Sequence, residues 1–333
     1  MKWVWRLLLG LLVVLAALFV IFRVPDTDPD AMRAKYGGQP SQFIEVGDGR
    51  AIHVRDEGPR DAPVLVLLHG SNADLHTWQA WVDALREDYR IIRYDQRGHG
   101  LTGPAPDEDY TPAGFGRDID AVADALGIDT FTLAGNSMGG GIALAYALDK
   151  PWRVDALVLV DAAGAPIERQ GSGNLAFRLA AMPGVGTLLS QLLPRELVAR
   201  SLSQSVSNQA VVTDEAVDRY WEMARYPGNR AATQARFATP RERFDAADLA
   251  HLQVPTLVMW GKEDSLIPLE AGEWFARHLP RATLVAYDDI GHLPMEEAPE
   301  RSATDLAIWL SEVLMPPALP QAEPQAGEAV SSR

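Results

Sequence analysis

"LAGNSMGGGIALAYAL", running from Leu133 to Leu148, changes character twice. An apolar strand end passes into glycines around one serine, Ser137, and an alanine-rich helix follows. Gly135-Asn136-Ser137-Met138-Gly139 fits Gly-x-Ser-x-Gly with a strand before it and a helix after it. A turn that tight holds the hydroxyl out over the strand end, and glycines on either side let strand and helix approach closely. The helix N-terminus adds unpaired amides and a partial positive charge beneath the hydroxyl. The bland alternative is a glycine-rich turn with an incidental serine.

A serine hydroxyl is too weakly acidic to attack a carbonyl unaided. It needs a base, and the base needs an orienting carboxylate. His292, in "DDIGHLPMEEAP", directly follows the last expected strand, and Asp264, in "MWGKEDSLIP", directly follows the strand before it. Both therefore fall on the same rim as Ser137, in the chain order Ser, Asp, His. Asp161 also ends a strand and is the substitute acid, while Asp288 and Asp289 lie close to His292 in sequence. The other histidines fit the base less well. His53 lies inside a strand, His76 opens a helical region, His251 and His278 lie on helical or lid segments, and His69 and His99 precede the serine.

The loop in "LLHGSNADLHTW" follows a buried strand and is expected to turn a backbone N–H toward a developing oxyanion. The donors assigned are Met138, the residue after the serine, and Ser71, with Asn72 as second choice. His69 and Gly70 are expected to shape that loop. A metal site at His69, His99 and Asp95 lacks any recognised ligand spacing, so no metal is expected there.

Around these residues strands and helices alternate. "QFIEVGDGRAIHVRDEG" reads as a hairpin, and "APVLVLLHG", "YRIIRYD", "TFTLAG", "VDALVLVDA", "VPTLVMWG" and "ATLVAYDD" read as strands separated by helical periodicity. This rhythm implies a mostly parallel sheet covered on both faces by helices, with its chemistry at the carboxyl ends of the strands. The stretch from about Ala163 to Leu252 lacks strand patterning and reads as a helical lid.

Composition narrows the functions. Hydrophobic residues at 47% and charged residues at 23% are the ordinary balance of a globular α/β protein. A net charge of −15 argues against a nucleic-acid surface. With no cysteine in the chain, disulfides, thiolate metal sites and cysteine nucleophiles are excluded.

The N-terminus stands apart. "LLLGLLVVLAALFVIF", Leu7 to Phe22, is an uncharged run flanked by Trp3, Trp5 and Arg23. As a helix it spans roughly 24 Å against a bilayer core of about 30 Å, and Val4, Trp5 and Val24 extend it. It runs straight into "RVPDTDPD" without a small-x-small cleavage site, which favours an uncleaved signal-anchor over a removed signal peptide and secretion. Lys2 and Arg6 precede the span and Asp26, Asp28 and Asp30 follow it, so the N-terminus is expected in the cytoplasm and the large domain outside.

Taken together, these motifs resemble the α/β-hydrolase fold family. His69-Gly70, "DQRGHG" from Asp95, "GNSMGG", "WGKED" and the Gly291-His292 pair stand in family order between about Gln42 and Leu314. The resemblance implies an eight-stranded sheet, a helical cap inserted after the sixth strand, a Ser-His-Asp triad and no cofactor. The expected divisions are a signal-anchor at 1–24, a linker at 25–41, a core at 42–162 and 253–314, a cap at 163–252 and a disordered tail at 315–333.

Branches of the family separate partly on these residues. Epoxide hydrolases and haloalkane dehalogenases carry an aspartate where Ser137 stands. Hydrolases of carbon–carbon bonds in ring-cleavage products look similar at "GNSMGG" but usually carry a glycine- and proline-rich loop where this chain has "SNADLHTW". The first expectation is therefore a carboxylic ester hydrolase acting on a small hydrophobic acyl or aryl ester. The alternatives are a carbon–carbon bond hydrolase of a ring-cleavage-type diketone, a lactonase or cofactor-free haloperoxidase-like enzyme, and last a non-catalytic binding member. Phe177, Met182, Tyr220, Trp221, Met223 and Phe237 are candidate substrate contacts in the lid.

Overall fold

A computed structural model describes residues 2–47, 49–167, 185–240 and 243–314. The expected tail and the lid candidates Phe177 and Met182 lie outside the described residues. Eight strands form one sheet: β1 (Ser41–Glu45), β2 (Ala51–Glu57), β3 (Val64–Leu68), β4 (Arg90–Tyr94), β5 (Phe131–Asn136), β6 (Val154–Val160), β7 (Thr256–Gly261) and β8 (Ala282–Tyr287). Their order is β1-β2-β4-β3-β5-β6-β7-β8. β2 runs antiparallel to β1 and β4, and the remaining pairs are parallel. This is the sheet of an α/β-hydrolase fold.

The helices follow in chain order: α1 (Lys2–Phe22), α2 (Pro29–Tyr36), α3 (Gln79–Leu85), α4 (Pro112–Ala125), α5 (Met138–Asp149), then α6 (Val185–Ser190), α7 (Arg195–Ser205), α8 (Asp214–Ala224), α9 (Asn229–Ala238) and α10 (Ala246–Leu249), and finally α11 (Leu269–His278), α12 (Pro294–Glu297) and α13 (Pro299–Leu314). Of the described helices, α6 to α10 lie between β6 and β7, in the place of the expected cap.

Alternation within the central strands sends side chains to two separate cores. Val66 and Leu68 of β3 join Phe115 and Ile119 of α4, Ile142 and Leu144 of α5 and Phe275 of α11. Their neighbours Leu65 and Leu67 face the other way, onto Trp81 and Val82 of α3 and Leu306 and Leu310 of α13. Because both faces are covered, these strands read as unbroken apolar runs in the sequence.

The stretch expected to be a plain linker contains α2. Asp28 accepts the Ala31 N–H at 2.8 Å as N-cap, and Pro29 occupies the first turn, where its missing N–H costs nothing. Met32 of α2 is buried in a small cluster with Leu101, Met223 and Tyr226. The sequence carries this start signal in "DPDAMRAKY", where turn-forming residues double as a helix cap.

Candidate active site

Ser137 sits between β5 and α5 at φ 53° and ψ −116°, a left-handed conformation that a non-glycine residue holds only under constraint. The constraint is visible. Ser137 N–H donates to Val160 O at 2.9 Å, and its carbonyl accepts Gly141 N–H at 3.2 Å and Ala163 N–H at 2.9 Å. The turn closes only because its glycines lack side chains. A Cβ on Gly135 would stand 2.2 Å from Gly139 O, and one on Gly139 would stand 2.3 Å from Leu68 O.

Asp264 and His292 come from the loops after β7 and β8 and meet beside this turn. His292 Nδ1 and Asp264 Oδ2 are 2.6 Å apart, and both side chains are buried. Asp264 Oδ1 accepts the N–H groups of Leu266 at 2.7 Å and Ile267 at 3.0 Å, so its carboxylate is fixed before it meets the imidazole. His292 N–H donates to Ser205 O of the cap at 2.8 Å. Among the described residues no hydrogen bond joins the Ser137 hydroxyl to His292. Nucleophile–base hydrogen bonds in such sites commonly form or tighten only when substrate arrives.

Asp161 stands in the same corner. One oxygen from Asp161, one from Asp264 and one nitrogen of His292 lie within 4.8 Å of one another. Three such groups are enough to consider for a metal, but Nδ1 of His292 already bonds Asp264, which is triad geometry. Asp161 Oδ1 accepts Gly261 N–H at 3.0 Å, while its Oδ2 is buried without a hydrogen-bond partner. Burial and then the neighbouring charge of Asp264 push the Asp161 carboxyl well above the usual carboxylate range. Of the two carboxyls, Asp264 is the one that bonds the imidazole, and the raised pKa of Asp161 favours its protonated form beside that charge.

The loop after β3 packs against the same turn: a Cβ on Gly70 would meet Asn136 Oδ1 at 2.8 Å and Ser137 Cβ at 3.3 Å. His69 donates from Nδ1 to Gly70 O at 2.8 Å and accepts Gln96 N–H on Nε2 at 3.0 Å. His99 donates from Nδ1 to Arg97 O at 3.0 Å, leaving Nε2 to accept from Arg236 Nη1 at 2.6 Å. Carbonyl oxygens only accept, so both rings are neutral Nδ1–H tautomers. Burial lowers the pKa of His69 and, together with Arg236, that of His99 further. Asp95 accepts from Leu75 N–H at 2.8 Å and Leu101 N–H at 2.7 Å and bonds His53 Nδ1 at 2.7 Å. These side chains brace loops; His69, His99 and Asp95 do not converge on a shared ion site.

Three residues near the site were not singled out from the sequence. Asn136 donates to Val160 O at 3.2 Å and to His292 O at 3.1 Å. Glu297 bridges the histidine loop to the cap: Oε1 accepts Gly291 and Leu293 N–H, at 3.0 and 3.2 Å, and Oε2 accepts Ser207 and Asn208 N–H, at 2.7 and 2.9 Å. Arg236, buried in α9, donates from Nη2 to Ser71 Oγ at 3.1 Å and Asn72 Oδ1 at 2.8 Å. Asn136 had a signal, its place next to Ser137; the other two are brought in by the fold alone.

Of the four described lid candidates, three contact other parts of the protein and one is exposed. Met223 packs with α2, Trp221 Nε1 donates to Leu193 O at 2.8 Å, Tyr220 Oη donates to Glu296 Oε1 at 3.2 Å, and Phe237 is exposed.

A serine on a strained strand-to-helix turn, beside a buried histidine–aspartate pair at the carboxyl ends of a mixed eight-stranded sheet, defines the serine-hydrolase class of this architecture. The model of the alpha/beta hydrolase fold family matches residues 63–299, and the chain belongs to that family. It is 30% identical to 2-hydroxymuconate semialdehyde hydrolase of Pseudomonas putida over 286 residues, covering 82% of this chain and 97% of that one. The solved meta-cleavage product hydrolase of Pseudomonas fluorescens superposes at TM-score 0.69 with 26% identity, covering 82% of this chain and 97% of that one. A membrane phospholipase A, a bacterial virulence factor, superposes at TM-score 0.70 with 26% identity over 94% of this chain and 99% of its own. The likeness to the first two favours the carbon–carbon alternative over the ester reading placed first above.

Proposed function

We propose that the chain is a membrane-tethered serine hydrolase in which Ser137 attacks a substrate carbonyl. His292 takes the serine proton, Asp264 orients and stabilises the imidazolium, and the N–H groups of Met138 and Ser71 receive the oxyanion. The observation that carries this reading is the 2.6 Å His292–Asp264 bond beside the strained Ser137 turn. Protonation of the leaving group by His292 leaves an acyl-serine, and water activated by the same histidine releases the acid.

The relatives support carbon–carbon bond hydrolysis of a ring-cleavage-type diketone as the first reading. In that case the bond from the attacked carbonyl to its neighbouring carbon breaks, and the departing carbon takes the proton. Ester hydrolysis is the second reading, favoured by the larger share of the chain that matches the membrane phospholipase A, 94% against 82%. α1 is long and apolar enough to cross a membrane and none of it is buried, which supports an anchor, and Lys2 and Arg6 before it with Asp26, Asp28 and Asp30 after it favour a cytoplasmic N-terminus.

A fluorophosphonate probe should label the protein at Ser137 and fail to label Ser137→Ala; labelling that survives the substitution would remove Ser137 as nucleophile. A panel of vinylogous diketones, lactones and esters of graded chain length then separates the readings. Turnover of diketones without esters sustains the first, and turnover of esters without diketones sustains the second.

A further inference from the structure

The segment after α1 is fastened to the cap, residue by residue. Arg23 N–H still continues the helix to Phe19 O at 2.8 Å, and the next residue, Val24, donates its N–H to Gln191 O at 2.8 Å. Arg230 of α9, itself buried, donates from Nη1 to Val24 O at 2.8 Å and to Ser190 O at 3.1 Å, and pairs through Nη2 with Asp26. Arg225 Nη1 donates to Pro25 O at 3.2 Å, and Thr27 N–H to Arg225 O at 2.9 Å. Farther on, Lys35 and Tyr36 of α2 both reach Glu222 of α8, at 2.7 and 2.6 Å.

Only Arg23 separates the end of α1 from its first bond to the cap, a path of about 7 Å even fully extended. That is close to the depth of one polar interface of a bilayer, roughly 5–7 Å on each side of the hydrocarbon. Two exposed apolar side chains of the cap agree with this placement. Leu188 on α6 and Leu197 on α7 flank Gln191, the point of attachment, and are 56% and 51% exposed. Trp152 and Ile308 are as exposed, but Trp152 precedes β6, at the opposite end of the sheet from the site, and Ile308 lies on α13.

We infer that the cap is the docking face of this protein on a phospholipid bilayer, with Leu188 and Leu197 seated at the boundary between headgroups and acyl chains and the Arg230–Asp26 pair holding the cap in that position. The inference rests on α1 as a membrane span. It adds that the helices covering the active site face the lipid, so that a lipid-phase substrate reaches the cap without crossing water.

The cysteine-free chain allows a direct test. Full-length Leu188→Cys, Leu197→Cys, Trp152→Cys and Ile308→Cys are each labelled with an environment-sensitive fluorophore. They are reconstituted in phosphatidylcholine–phosphatidylglycerol vesicles carrying lipids with nitroxide groups near the headgroup. Quenching at 188 and 197 is expected to exceed that at 152 and 308 at least threefold, and Asp26→Ala is expected to reduce the difference while the protein still resists carbonate extraction. Equal quenching at all four positions in carbonate-resistant protein overturns the docking face and leaves the span standing. Extraction by carbonate overturns the span and the docking face together. A contrast untouched by Asp26→Ala overturns the clamp.

Discussion

Asn136 donates its side-chain amide to the carbonyl oxygen of His292 across 156 residues of sequence, at 3.1 Å. The residue that precedes the serine therefore holds the backbone of the histidine, and one buried side chain ties the proposed nucleophile to its proposed base. Asn136→Ala removes this donor and leaves the His292 carbonyl without it. A loss of about 1–3 kcal/mol is expected from an unsatisfied buried group, seen as a lowered melting temperature. Labelling of Ser137 by a fluorophosphonate should slow in the same variant, and a rate equal to that of the parent chain would show that His292 is positioned without Asn136.

Asp264→Asn tests which acid serves the imidazole. Because Asp264 Oδ1 accepts two backbone N–H groups, an asparagine there keeps its oxygen on those amides and turns its NH2 toward His292 Nδ1. The ring must then carry its proton on Nε2, the nitrogen that should receive the serine proton. A fall in kcat of roughly 10³–10⁴ is expected, comparable to the same change in other serine triads. Near-normal turnover would transfer the role to Asp161.

How much of this was legible in the sequence follows the range of each interaction. The Ser137 turn could be read directly, because closely spaced glycines encode a local steric demand, and Asp264 and His292 could be read from their places just after apolar strands. The mostly parallel sheet followed from the alternation of strands and helices, but not the order of its strands. Glu297 and Arg236 could not be found this way. Glu297 sits in "PMEEAPE" beside another glutamate and resembles a solvated helix start, yet it accepts four backbone N–H groups, two from the adjacent histidine loop and two from the distant cap. Arg236 meets Ser71 and Asn72 only after the cap folds over the sheet. Met223 looked like a substrate contact, but its partners, Met32 and Leu101, are set by tertiary packing.

Asp161 predicts a pH dependence of stability. Its pKa is raised in the folded chain by burial and by Asp264, so the unfolded chain releases this proton first as the pH rises. Folding stability attributable to Asp161 is therefore intact below about pH 4, the ordinary carboxyl value, and declines above it at up to about 1.4 kcal/mol per pH unit until the folded group ionises. Asp161→Asn removes this penalty and keeps a donor beside Asp264. The variant should melt close to the parent near pH 4 and above it near pH 8, by an amount of order 1–3 kcal/mol. Melting curves that shift equally at both values would contradict a raised Asp161 pKa.

Arg236 gives the sharpest test of the oxyanion loop. It is a buried cation with no carboxylate in ion-pair contact among the described residues, and burial brings its pKa down to about 9. What holds it is a set of neutral acceptors: His99 Nε2, Ser71 Oγ, Asn72 Oδ1 and, at 3.4 Å, Thr233 Oγ1. Two of the four belong to the loop proposed to present the Ser71 N–H to the oxyanion. A complete oxyanion donor is worth about 3 kcal/mol, and a loop that has lost its tether gives up part of that. Arg236→Met, which keeps bulk and removes all the donors, should lower kcat by about 10- to 100-fold with little change in KM. Arg236→Lys, with one flexible ammonium in place of a planar fork, should restore only part of the loss. A variant that raises KM and spares kcat would instead place Arg236 among the groups that bind substrate, and Ser71 would lose its support as the second oxyanion donor.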